Sequence, residues 1–469
     1  MKRKKDMAET VDKQRLLATE KAIILDSLES GNPLDTEVRR LGEATRANTV
    51  SESKIGRFRP IEKRVCAVAD MEIIKAYYSR NQEPPSFLEA GPRKHLYRDP
   101  AALKIGIVTA GGIAPGLNTV IHSIVHMHHE IYRTHRPAYG FLGGFRGLVD
   151  CRYIELNPLI TREWLHKGGT GLAAGRERLD ITKMVNSLVE LGIDILYVIG
   201  GEGSLTAAHL MAEEIERRGR EIVIAGVPKT MDNDILWVWH SFGFDTAVEE
   251  AGKFIDTIHE EAKSTERICL LSLFGRDAGF VAAHAALASG QVDVVLVPEV
   301  EFRLEPLLDH IQKRVQDKHY ALIVMAEGAR PVGYTEERAL QDLVDKGYDL
   351  NDRSNPRVAE ALRSWRLSTL QRAFEERFAG SRHGVFVQEP RYLVRAIPAN
   401  SVDQIYCQRL ADLAVHNAVA GFTDFMISQW LTEYVLVPLK LVAGGHKKIP
   451  PGGIFWTTVI TSTGQPSFE

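Results

Sequence analysis

Two carboxylates two residues apart, Asp232 and Asp234, close the run Gly226-Val227-Pro228-Lys229-Thr230-Met231-Asp232-Asn233-Asp234. A lysine, a hydroxyl and paired aspartates suit contact with phosphate beside a general base or a metal ion. The residues before them, Glu221 to Val227, are mostly apolar and β-branched and read as a buried strand closed by Gly-Val-Pro. Polar groups just after such a strand sit at its carboxyl end, where open α/β sheets place ligands. Asp-Asn-Asp is also ordinary turn chemistry, so the segment alone reads equally well as a solvated turn.

Two glycine-rich turns share this context. Leu103 to Val108 is a short apolar strand, followed by Thr109-Ala110-Gly111-Gly112-Ile113-Ala114-Pro115-Gly116-Leu117-Asn118 and an amphipathic helix from Thr119 to about Tyr132. Leu196 to Ile199 is another strand, followed by Gly200-Gly201-Glu202-Gly203-Ser204 and a helix starting near Leu205. Strand, glycines and helix is the order in which bare backbone N–H groups and a helix N-terminus receive phosphate. One such turn is weak evidence, since glycine also serves tight turns. Two of them beside the Lys-Thr-Met-Asp-Asn-Asp segment point to phosphate binding.

The elements that must carry these groups alternate along the chain. Beyond 103, short β-branched strands (Ile195 to Ile199, Ile222 to Val227, Ile268 to Leu273, Val292 to Val297, Ala321 to Ala326) alternate with helical patterns, which argues for a doubly wound parallel sheet. Residues 1–89 differ, with charge-rich helical stretches at Val11 to Leu28 and Thr36 to Ala44, and Asn81-Gln82-Glu83-Pro84-Pro85 as a boundary. Glu336 to Phe378 is charged and helical, with a break at 351–356. A net charge of −3 gives no reason to expect nucleic acid or an anionic membrane as partner. No apolar run approaches the ~20 residues of a membrane helix and no signal-peptide core follows the basic start. Cys66, Cys151, Cys269 and Cys407 form no metal-ligand spacing and read as small buried hydrophobes of a cytoplasmic protein. His126, His128 and His129 read as a helix surface, and the tryptophans as packing residues.

The motifs together resemble the phosphofructokinases, in particular the plant-type and trypanosomal ATP-dependent branch, related to the pyrophosphate-dependent enzymes. The resembling segments include Gly111 to Asn118, Gly168-Gly169-Thr170 with Arg176, Gly200 to Ser204, Pro228 to Asp234, Ser241 to Ala251, and Phe274-Gly275-Arg276. Val297-Pro298-Glu299, Ala326-Glu327-Gly328-Ala329, Tyr392 to Pro398 and Gln465-Pro466-Ser467-Phe468 follow in family order. The resemblance implies two Rossmann-like doubly wound α/β domains with a helical N-terminal extension. Its segments would be an extension at 1–89, a nucleotide-binding domain at 90–235, a sugar-phosphate domain at 236–400 with a helical insertion near 331–388, and a return segment at 401–469. It implies a glycolytic enzyme of the cytoplasm, a homotetramer or dimer, passing a phosphoryl group to the 1-hydroxyl of fructose 6-phosphate. Asp232 would be the base, with Thr230 and Lys229 beside the transferred group and Arg176 facing it. Asp234 and Glu202 would organise Mg²⁺, and Gly111, Gly112, Arg176, Gly201, Glu202, Gly203 and Ser204 would meet the nucleotide. Arg267, Phe274, Gly275, Arg276, Glu327, Tyr392 and Arg395 would join Thr230, Asp232 and Asp234 in holding the sugar phosphate; for Tyr392, core packing is the other reading.

The sequence departs from the family at three points. Glu202 stands where Asp is usual, moving a metal-binding carboxylate outward by one methylene, and Glu177 stands beside Arg176 where Gly is usual. Phe274 replaces the usual Met. Gly203 leaves room for an ATP α-phosphate where pyrophosphate users carry Asp, whereas Lys229 also occurs in pyrophosphate users. ATP is therefore the expected donor, with pyrophosphate and a weakly active regulatory subunit as alternatives.

Overall fold

The computed structural model describes residues 18–175, 180–333, 336–345, 347 and 356–468. Two compact units divide it, one of residues 20–245 and 395–446, the other mainly of 246–394 and 447–469.

The first unit is built on a nine-stranded sheet. Five central strands, Phe425–Trp430, Val223–Pro228, Ile195–Gly200, Ile105–Thr109 and Ala138–Phe141, run parallel in that spatial order. They read as continuous apolar runs because both faces are covered. Leu117, Val120, Ile121 and Ile124 pack with Ala411 and Val415 on one face. Met184, Leu188, Leu205 and Met211 pack on the other. Helices form where an apolar stripe meets good ends. In Ile181–Leu191 the Asp180 carboxylate accepts from the Thr182 N–H, and Gly192 ends the helix in the left-handed conformation.

The margins of this sheet are antiparallel. Tyr153–Leu156 pairs on one side; Glu433–Pro438, Ser86–Glu89 and Arg64–Cys66 extend the other. The compositionally distinct N-terminal region thus supplies the two outermost strands of that margin. From Ile105–Thr109 the chain steps outward to Ala138–Phe141 and Tyr153–Leu156, then returns to lay Ile195–Gly200 on the opposite side. That reversal makes the ends of Ile105–Thr109 and Ile195–Gly200 a topological switch point.

The second unit holds four parallel strands in the order Val294–Leu296, Ala321–Ala326, Ile268–Leu273, Val385–Gln388. Leu367, Leu370 and Phe374 of helix Pro356–Arg377 join its core.

Several local expectations are corrected. Thr36 to Ala44 is not a helix: Arg39–Arg40 pairs as a short strand with Phe422–Thr423, since a charged stretch without an apolar stripe gains nothing from helical packing. The helix expected from Thr119 starts at Leu117, capped by Gly116, and passes into a π-helical turn over Met127–Ile131. The histidines there are not a surface set. His128 is fully buried with its Nε2 2.8 Å from the Tyr197 hydroxyl, and His129 is half-buried. Trp239 is exposed, whereas Trp237 is core; Cys66 and Cys151 are only half-buried. The expected helix over Val11 to Leu28 is seen from Thr19, its earlier part lying outside the described residues, as does the break at 351–355. No helix among the described residues is long and apolar enough to cross a membrane.

Candidate active site

Four loops of the first unit end at the switch point. Lys229 leaves strand Val223–Pro228 with its N–H donating to the Gly200 carbonyl at 2.9 Å, so its loop is tied to the next strand's glycine turn. Ala110 N donates to Ile199 O at 2.9 Å and Gly111 N to Gly175 O at 2.8 Å, drawing the first glycine turn into the same cluster. A Cβ placed on Gly111, whose φ is +86°, would lie 3.3 Å from Lys229 Nζ and 3.7 Å from Ser204 Oγ. Amine, hydroxyl and bare backbone therefore converge, a fitting cradle for phosphate oxygens. Gly111 and Gly112 precede helix Leu117–His126, and Gly201 caps helix Glu202–Arg217. The second helix starts earlier than its apolar pattern suggests, which puts Glu202 in its first turn. At Gly203 an added Cβ would meet nothing within 4 Å.

The aspartate loop is held by short-range bonds. Thr230 Oγ1 donates to Asp234 Oδ1 at 2.9 Å and accepts from the Asp232 N–H at 3.1 Å. Asn233 takes the left-handed conformation at φ 54°, and its Oδ1 accepts from Ser241 N at 3.0 Å. This local bonding fixes which way each carboxylate leaves the backbone. His446 Nδ1 lies 3.5 Å from Asp234 Oδ2. Burial pushes the Asp234 carboxyl up, but hydrogen bonds from His446 and Thr230 outweigh it and hold it below the usual carboxylate range. Glu202 turns back along its own helix, accepting from Thr206 Oγ1 at 3.1 Å. Gly168 packs so closely on the Ala396 carbonyl that a side chain there would overlap it, which joins two of the resembling motifs. Arg176 and Glu177 lie outside the described residues. Arg395 belongs to this unit and is half-buried.

In the second unit, the sugar-site candidates follow the carboxyl ends of three adjacent strands. Phe274-Gly275-Arg276 follows Ile268–Leu273, Glu327 follows Ala321–Ala326, and Tyr392 lies just beyond Val385–Gln388. Gly328 N donates to Gly275 O at 3.0 Å, and a side chain on Gly328 would overlap the Arg276 carbonyl. Arg276 is exposed and its Nε donates to Asp277 at 2.8 Å. Tyr392 is exposed beneath the Arg391 guanidinium, 5.0 Å from its ring centroid, which removes core packing as its role. Arg267 does not converge with Arg276 within this chain. It sits at the amino end of the six-residue strand, about 20 Å from the other end at ~3.3 Å per residue, stacked on Phe386.

Sequence reasoning missed the surroundings of Glu327. Arg363 Nε stands 3.8 Å from Glu327 Oε2, and Arg366 Nη1 donates to the Glu327 carbonyl at 3.2 Å. Burial raises the Glu327 carboxyl above its ordinary value, against the pull of Arg363, Arg276, Arg366 and Arg391. The 363/366 spacing places both arginines on one helix face, but nothing in the sequence says what that face meets. His446 carried no local signal at all.

Comparison with known proteins agrees with this geometry. The phosphofructokinase family model matches residues 104–418, more than half the chain. An ATP-dependent 6-phosphofructokinase of Amycolatopsis methanolica is 38% identical over 393 residues, covering 82% of this chain and 84% of the relative. ATP-dependent 6-phosphofructokinase 2 of Arabidopsis thaliana is 33% identical over 449 residues, covering 93% and 98%. In fold, the chain is similar to a pyrophosphate-dependent phosphofructokinase from Marinobacter aquaeolei, with a TM-score of 0.61 at 21% identity over 74% of this chain and 86% of that one. The glycine turns at a switch point, an ordered aspartate loop and a family match across most of the chain lead to one conclusion: the chain belongs to the phosphofructokinase family.

Proposed function

We propose that the protein is an ATP-dependent 6-phosphofructokinase of the plant-type and trypanosomal branch, passing a phosphoryl group to the 1-hydroxyl of fructose 6-phosphate and giving fructose 1,6-bisphosphate. The observation that carries this is the bonded loop from Lys229 to Asp234 beside two glycine turns, in a chain whose curated relatives have that activity. Phosphoryl transfer has a loose transition state, so positioning and charge neutralisation do most of the work. Asp232 takes the hydroxyl proton, its direction from the backbone set by the Thr230 bond to its N–H. Lys229 and Thr230 lie along the transferred group, and Arg176 faces it. Gly111, Gly112, Gly201, Gly203 and Ser204 receive the nucleotide phosphates, and the open space before Gly203 favours ATP over pyrophosphate.

Asp234, half-buried and held below the usual carboxylate range, fits a hard divalent cation, and Glu202 would be the second carboxylate offered to Mg²⁺. When bound, Mg²⁺ neutralises charge on the phosphate oxygens. Glu327 accepts from the sugar hydroxyls, Arg276 and Arg395 hold phosphate oxygens, and Phe274, Gly275 and Tyr392 shape the sugar site. Arg267, at the far end of its strand, serves the site of a second copy in a homotetramer or dimer, so dilution to monomer should cost fructose 6-phosphate affinity.

The deciding experiment assays purified protein with fructose 6-phosphate and Mg²⁺, with ATP and with pyrophosphate separately. Turnover with ATP supports the reading. Turnover with pyrophosphate alone moves the protein to the other donor class, and none with either leaves a sugar-phosphate-binding regulatory subunit, detectable by fructose 6-phosphate binding.

A further inference from the structure

A buried guanidinium on the inserted helix has no place in the assignments above. Arg363, on helix Pro356–Arg377, is 8% exposed and lies among three carboxylates. Its Nη2 donates to Glu360 at 2.9 Å and its Nη1 to Glu389, while its Nε stands 3.8 Å from Glu327 Oε2. Glu360 is itself gripped by Arg391, with bonds of 2.8 and 2.5 Å. The planar fork therefore has two of its three nitrogens anchored, and its orientation toward Glu327 is fixed by those anchors.

The separation from Glu327 is informative. At 3.8 Å the charge acts on the carboxylate, yet Arg363 makes no hydrogen bond that would use up its acceptor sites. The Glu327 backbone is already fixed: its N–H donates to Leu273 O at 2.9 Å and its carbonyl accepts from Arg366. Among the described residues no side chain donates a hydrogen bond to the carboxylate, which keeps lone pairs for a ligand's hydroxyl groups.

We propose that Arg363 is a positioning residue for Glu327, holding the carboxylate in direction and charge while leaving its oxygens open to the sugar. This deepens the fructose 6-phosphate reading and rests on it. The charged groups around Glu327 are Arg363 and Arg366 on the helix, Arg276 and Asp277 on the loop after Ile268–Leu273, and Arg391 after Val385–Gln388, with Glu360 and Glu389 behind them. Burial works to protonate Glu327 and these arginines oppose it, with Arg363 the foremost. Removing Arg363 brings Glu327 protonation closer to neutral pH, and a protonated carboxyl accepts sugar hydroxyls less well.

The test measures fructose 6-phosphate KM, donor KM, kcat and melting temperature between pH 6 and 8.5 for wild type, Arg363→Met, Arg363→Lys, Glu389→Gln and Glu327→Gln. Arg363→Met should raise fructose 6-phosphate KM about 10-fold at pH 8 and further as pH falls, with donor KM unchanged. Arg363→Lys keeps the charge and should restore the flat pH profile but only part of the affinity. Should Arg363→Met fail to fold, Glu389→Gln releases one anchor and should raise the same KM by a smaller factor. Wild-type KM and pH profile in both Arg363→Met and Glu389→Gln, or in the latter alone if the former does not fold, overturn the inference, as does a matching rise in donor KM. A wild-type KM in Glu327→Gln instead sinks the underlying assignment of Glu327 to the sugar.

Discussion

The aspartate loop of the first unit and the Glu327 corner of the second reach order by opposite routes. From Lys229 to Ser241, the polar groups bond within a few residues: Thr230 to Asp234, Asp232 to Thr230, Asn233 to Ser241. Glu327 has its setting imposed from 36 and more residues away, by arginines of helix Pro356–Arg377 and of the turn after Val385–Gln388. The aspartate loop rests mostly on its own bonds, with the Lys229 N–H on Gly200 and His446 beside Asp234 as its longer ties. A carboxylate governed by distant cations depends on the packing of helix Pro356–Arg377 onto its sheet. The first arrangement suits a group that must meet a proton within tight limits, the second a group whose affinity is to be tuned.

The contrast breaks most sharply at Asp232. Asp232→Asn should lower kcat by at least ~10²-fold with fructose 6-phosphate KM nearly unchanged, the pattern of a lost transition-state interaction. Retention of more than a tenth of wild-type kcat would remove Asp232 from the role of base. In the other unit, Glu327→Ala should instead raise fructose 6-phosphate KM roughly 10-fold or more with donor KM constant. A change confined to donor KM would put the residue on the wrong substrate.

Acid separates the units by stability. Burial lowers His128 to about 3 and His416 to about 4, both in the first unit. A histidine with a depressed folded value contributes stability above its unfolded value near 6.5, and loses it as pH falls toward the folded value. At pH 5 each should have cost about 2 kcal/mol. Melting curves from pH 7 to 5 should therefore flatten for His416→Asn, and an unchanged slope would refute the assignment. Gly111→Ala should cost on the order of 1–3 kcal/mol through its positive φ and crowd Lys229, raising donor KM but not sugar KM. Equal shifts in both KM values would contradict the cradle. The smallest effect is expected at Glu202. Glu202→Asp shortens the carboxylate now bonded to Thr206 and should raise kcat with Mg²⁺ by a few-fold, less with Mn²⁺. Lower kcat under both metals would mean that the loop is fitted to glutamate.

The same contrast explains what could be read from the sequence. Strand Ile268–Leu273 and strand Ala321–Ala326 were legible to the residue, because a run buried on both faces leaves an uninterrupted apolar record. The aspartate loop was legible because most of its side-chain bonds run to near neighbours in the chain, and the glycine turns because glycines between a strand and a helix are themselves a local signal. Arg363, Arg366 and His446 were not, since each acquires meaning only from a residue far away in sequence. His128 misled for a related reason: spacing alone groups it with polar neighbours, while its partner Tyr197 comes from a central strand. The antiparallel strands Arg64–Cys66 and Ser86–Glu89 at the sheet margin were missed because short segments carry too little pattern to stand out from loop.

The seam at Gly328 has a further consequence. With Gly328 N–H on the Gly275 carbonyl and no room for a side chain against Arg276, the two loops touch backbone to backbone. They behave as one mechanical part. A ligand that draws Arg276 inward carries the Glu327 segment with it, so on the proposed roles the hold on a sugar's phosphate and the hold on its hydroxyls shift together under small backbone movements. Under the proposed roles, a change of sugar specificity would then come through side-chain exchange around this frame rather than through the frame itself.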